Sequence, residues 1–99
     1  MDAAARKQQA RREAESLLSP RNDLSRQLNH RQRALLLNAL KHPDKRFTIA
    51  EHQNAHGVVY QTARADLLGL AEAGLMQQHR EGRAHVFIAA VDLARRLRD

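Results

Sequence analysis

Tyr60, Gln61 and Arg64 are the side chains best suited to chemistry in this sequence. Arginine forks onto the O6 and N7 acceptors of guanine and glutamine pairs with adenine, so such residues at the start of a helix suit base edges in a major groove. A second group follows, with Arg80 and Arg83 around Glu81-Gly82 and His79 and His85 beside them. A charged hairpin tip of this kind suits phosphates or a minor groove. Each group also has a plainer reading as a solvated face. His52 and His56 stand four apart, a spacing that can clasp zinc on one helix face. There is no glutamate in a His-Glu-x-x-His arrangement and no third ligand at a telling spacing, so no metal or other cofactor is expected, and His52 is expected to pack partly inside the domain. Tyr60, Phe47 and Phe87 are the only aromatics, too few for a base-stacking platform. No nucleophile triad can be argued from spacing, and no catalysis is expected.

The elements that must position these residues centre on Gly57 to Gly74. Ala63, Leu67, Leu70 and Gly74 recur at steps of four, three and four, one face of a helix over about 59–73. Ahead of it, Thr48-Ile49-Ala50-Glu51 has the form of a capping box and predicts a short helix from Ile49 to Ala55. A short helix, a glycine turn at His56-Gly57 and a longer helix read as a helix-turn-helix. Leu75 to Arg80 and Arg83 to Ile88 then read as two strands around Glu81-Gly82, a wing.

Upstream, Asn29-His30-Arg31-Gln32 is a cap-like start, and Leu28, Leu35, Leu36, Ala39 and Leu40 give a helix over 30–41 an apolar face that stops before His42-Pro43. Phe47-Thr48 suits a short edge strand of the kind that many winged helices pair with the wing. Val91, Leu93, Ala94 and Leu97 suit a closing helix with Arg95, Arg96 and Arg98 near its C-terminal end. Residues 3–18 favour a further helix, stopped by Pro20, whose stripe of Ala10, Ala14, Leu17 and Leu18 is shallow and open to an external partner. The predicted architecture is an α+β winged helix-turn-helix over residues 21–99 with an added N-terminal helix or linker over 1–20. Its expected core is Leu36, Leu40, Ile49, Ala63, Leu67, Leu70, Leu75, Val86 and Ile88.

Composition narrows the function. Ninety-nine residues, 42% apolar, support one modest core and little room for a deep pocket. The absence of cysteine removes disulfides, thiolate zinc sites and cysteine nucleophiles and agrees with a cytoplasmic location, and no apolar run approaches membrane-spanning length. The formal charge of +6 favours nucleic acid, but it is unevenly placed: residues 1–33 carry +4, residues 34–78 are neutral and residues 79–99 carry +2.

Leu28-Asn29-x-Arg31-Gln32, Thr48, Thr62-Ala63-x-x-Asp66-Leu67-x-x-Leu70-x-x-x-Gly74-Leu75, Gly82-Arg83 and Phe87 together resemble the C-terminal winged-helix domain that follows the catalytic domain in a branch of Fic family proteins. The resemblance covers about residues 24–90. It implies a parent enzyme that transfers AMP from ATP onto a protein hydroxyl through a His-Pro-Phe-x-x-Gly-Asn-Gly-Arg-type loop. Here His42-Pro43 is followed by Asp44-Lys45, so no catalytic or ATP-binding residue carries over, and the chain resembles an excised fragment or a stand-alone relic. The residue before the aspartate, commonly arginine in such proteins, is Ala65, and the arginine stands one earlier at Arg64.

Two function classes follow. The first is a non-catalytic module that binds double-stranded DNA through Tyr60, Gln61, Arg64, Arg80 and Arg83. The second is a protein-interaction module, a homodimer through residues 3–18 or a dock onto a Fic catalytic domain, motivated by the neutral second helix and the Ala/Leu stripe.

Overall fold

The computed structural model describes residues 17–18 and 23–98. Among them lie five helices and one hairpin: α1 (Asp23–Arg26), α2 (His30–Lys41), α3 (Ile49–His56), α4 (Tyr60–Glu72), β1 (Met76–Glu81), β2 (Ala84–Ala89) and α5 (Leu93–Arg98). The arrangement is α+β, and no described helix is long and apolar enough to cross a membrane.

Local chemistry sets the helix boundaries. Asn29 closes a reciprocal capping box with Gln32: its side chain accepts from the Gln32 amide at 2.8 Å, and the Gln32 side chain accepts from the Asn29 amide at 3.0 Å. α2 ends at His42, whose non-helical backbone is what the residue before a proline favours. Thr48 caps α3 by accepting from the Glu51 amide at 3.1 Å, and Gly57 closes that helix in the left-handed region at φ 61°. α4 closes on a Schellman pair, with the Gly74 amide bonded to Ala71 and the Leu75 amide to Leu70, both at 3.0 Å. Gly74 there has φ 77°, a conformation that leaves room only for glycine without strain.

The strands pair antiparallel from Met76↔Ala89 to Glu81↔Ala84, so Gly82-Arg83 is a two-residue turn. Only Gly82 of the two has positive φ, the type II′ pattern that suits the twist of a hairpin. Phe47 bridges Phe87 on the other edge of β2 through two backbone bonds of 2.8 Å. The short edge strand expected at Phe47-Thr48 is thus a single bridge at Phe47.

The three main helices fall within a residue or so of their expected bounds, and the strands run one residue later. Of the expected core, Leu36, Ala63, Leu67, Leu70, Leu75 and Val86 are buried. Leu40, Ile49 and Ile88 are only partly covered, the first two because they sit at helix ends. Phe47, Met76 and Phe87 complete the interior beneath the hairpin. Val91 lies in the turn before α5 and is 96% exposed, off the apolar side that Leu93 and Leu97 bury.

Ala10 and Ala14 of the expected N-terminal stripe lie outside the described residues. Leu17 and Leu18 of that stripe are 8% exposed and belong to the core cluster, and the fully buried Ser25 hydroxyl donates to the Leu18 carbonyl at 2.8 Å. The core therefore reaches back across Pro20, and these two leucines face their own domain.

Candidate nucleic-acid interface

α4 divides sharply between its faces. Ala63, Asp66, Leu67 and Leu70 are buried on one side, while Tyr60, Gln61, Arg64 and Ala65 are exposed on the other. Tyr60 and Arg64 stand four apart and Gln61 and Arg64 three apart, so the three expected helix contacts share one outward face. Tyr60 is 52% exposed and its neighbour Val59, the N-cap residue, 65%. Val59 offers no side-chain cap, and the amides of Tyr60 and Gln61 at the positive end of the macrodipole have no side-chain acceptor among the described residues. Arg64 makes no side-chain hydrogen bond or ion pair with another described residue.

The inner face is held by a carboxylate. Asp66 is 4% exposed, and a buried charge is stable only when paired and hydrogen-bonded. Arg31 supplies the pair as a fork, Nε to Oδ2 at 2.7 Å and Nη2 to Oδ1 at 3.1 Å. Asn29 Nδ2 donates to Oδ1 at 2.8 Å, and His52 Nε2 lies 2.9 Å from Oδ2. Gln32 Nε2 donates to the Asp66 backbone carbonyl at 3.0 Å. Burial by itself pushes the carboxyl up, but hydrogen bonds from Arg31, Asn29 and His52 overcome it and hold Asp66 at about 2, from 3.8.

One side chain of α4 thus ties α2 through Asn29 and Arg31 and α3 through His52. The Nε2 of His52, considered above as a metal ligand, is committed to this contact. The network is also where the spaced motif converges: Asn29, Arg31, Gln32 and Asp66 are all its members. Their shared role was not legible from spacing. The available signal was Asp66 itself, three residues after Ala63 and four before Leu70, a carboxylate on an apolar stripe that has to find partners.

Arg80 and Arg83 belong to a different element, the hairpin tip, and no bond or pair among the described residues links them to Tyr60, Gln61 or Arg64. Arg83 is the second turn residue. Arg80 sits opposite His85 and donates from Nε to the Gly82 carbonyl at 3.2 Å. Glu81, the only acid of the hairpin, is paired with Arg46 from the segment before α3, and that pair holds the Arg46 guanidinium above its ordinary value. Both partners are half exposed, so the bridge adds little stability, but it neutralises the acid and leaves Arg80 and Arg83 without an acidic partner among the described residues. His79 is exposed, its Nε2 3.4 Å from Gln77 Oε1 on the same side of β1. Comparisons with protein-family models, with curated proteins and with solved structures find no match.

Proposed function

We propose that the chain is a non-catalytic winged helix-turn-helix module that binds double-stranded DNA with modest sequence preference, serving as a regulatory or localising part of a Fic-like protein. The observation that carries this reading is the exposed set Tyr60, Gln61 and Arg64, unpartnered among the described residues, at the start of α4, whose opposite face is pinned through Asp66. Rigid presentation of base-reading side chains limits the ordering that binding must do. The hairpin adds phosphate contacts from Arg80 and Arg83, with Glu81 withdrawn by Arg46.

Fluorescence anisotropy with a mixed-sequence duplex tests the reading. Two to four phosphate contacts give a slope of log K against log salt of roughly −2 to −4. Arg80→Ala with Arg83→Ala should weaken binding alike on every sequence and flatten that slope, while Gln61→Ala and Arg64→Ala should alter preference among sequences. No binding at low salt, or binding indifferent to the arginine pair, rejects the surface.

The second reading is a protein-interaction module. The exposed apolar pair Val59 and Tyr60 and the neutral stretch 34–78 favour it, since charge is depleted at the centres of protein interfaces and tyrosine is enriched. Solution mass by light scattering separates a self-associating chain from a monomer.

A further inference from the structure

Three histidines converge where α2 begins and α3 ends. The ring centroids of His52 and His56 are 4.8 Å apart, and His30, the first residue of α2, lies 6.4 Å from His56, both pairs edge-on. His52 and Arg31 are committed to Asp66, whereas the ring of His56 makes no hydrogen bond among the described residues. His56 also lines an open cleft of about 250 Å³ between α2 and α3, through which water reaches it.

We propose that His56 is an acid-sensitive latch on α3: a proton on its ring drives the last turn of that helix away from α2 and α4 and loosens the Gly57 hinge into α4. The charged and titratable groups facing His56 are His30 and Arg31 from α2, His52 and Glu51 from α3, Lys45 from the segment before α3, and Asp66 from α4. The Asp66 carboxylate is already engaged by Arg31, Asn29 and His52. A new cation on His56 is therefore disfavoured by His52, His30 and Arg31 together, with only Asp66 drawing it. The macrodipole of an eight-residue helix favours positive charge at its last residue, but only weakly, and it acts against several facing charges.

The electrostatics agree in direction. Burial first, then His52, His30 and Arg31, push the His56 ring below its ordinary 6.5, with Asp66 pulling the other way. The folded chain therefore favours neutral His56. Its contribution to stability is complete above about 6.5 and is lost as pH falls from there through the lower folded value.

The test follows histidine ring resonances and amide exchange of the whole chain between about pH 8 and pH 5, the range in which imidazoles change charge. His56 is expected to titrate below 6.5. Beneath that midpoint the Gly57 and Val58 amides, both bonded to the Gln53 carbonyl, should lose roughly tenfold in protection once the pH dependence of intrinsic exchange is divided out, while Leu67 and Leu70 of α4 keep theirs. His56→Gln should abolish that loss. Titration at or above 6.5, equal loss in α4, or a loss that survives His56→Gln overturns the latch. His30→Gln removes one of the groups that hold the His56 ring down and keeps the histidine under study, so it should move the His56 midpoint up towards 6.5. No movement also overturns the proposal.

Discussion

A single carboxylate on the inner face of α4 does what a methyl or a leucine there could not, because it specifies which helices meet and at what register. Asp66 accepts from Arg31, Asn29 and His52, and those donors would be left without an acceptor if the carboxylate were removed. Asp66→Asn keeps the volume, leaves one acceptor oxygen and puts a donor where two donors point. Urea unfolding should show a loss of roughly 2–4 kcal/mol, less than a fully desolvated pair because Arg31 keeps 19% exposure. The pH profile follows from the same contacts. With the folded carboxyl at about 2, below its ordinary 3.8, the wild-type contribution is complete above about 3.8 and disappears as pH falls from there through about 2. The variant should lack that acid-range decline while matching the wild-type slope at neutral pH.

Between elements, the close contact of α2 with α4 depends on Gly69. A Cβ built there would lie 3.1 Å from Gln32 Nε2, tighter than ordinary packing. Gln32 cannot easily give way, since its Oε1 accepts from the Asn29 amide and its Nε2 donates to the Asp66 carbonyl. Exchanging glycine for alanine inside a helix ordinarily gains about 1 kcal/mol. Here Gly69→Ala should instead lower stability by roughly 1 kcal/mol, because shifting Gln32 breaks both its hydrogen bonds. A thermal melt of the variant above that of the wild type would show that the helices have slack. At the hairpin, by contrast, Gly82 meets nothing within 4 Å, and its requirement is purely its φ of 62°.

For the molecule as a whole, the core is assembled from both sides of Pro20. Leu17 and Leu18 pack with Leu28, Leu36 and Leu97 in one cluster, and Ser25 holds the Leu18 carbonyl. A chain beginning at Asn22 loses both leucines and that bond, so its unfolding free energy should fall by about 3 kcal/mol or more, a large fraction for a domain this small. Light scattering on that truncated chain thus needs a parallel melt, since a change of mass could follow from an opened core. The DNA titration belongs to the same scale. Its salt slope reports the summed basic surface, whereas sequence preference reports only the turn at the start of α4.

Secondary structure was legible in the sequence wherever one short-range rule governed it. Asn29 with Gln32 marked the start of α2, Thr48 marked that of α3, Gly57 and Gly74 marked helix ends, and Gly82 marked the hairpin turn. Each of those signals acts within about five residues of chain. The face carrying Tyr60, Gln61 and Arg64 was legible for the same reason, as the complement of the Ala63, Leu67, Leu70 stripe. What only the tertiary structure decided are contacts that close long loops. The meeting of Arg31, His52 and Asp66, the Arg46 to Glu81 pair and the inward turn of Leu17 and Leu18 all join residues distant in sequence. Local periodicity places a side chain on a face. Which partner that face meets is set by how the helices pack, because the energy of a buried charge or an aromatic ring depends on the groups brought beside it in the fold.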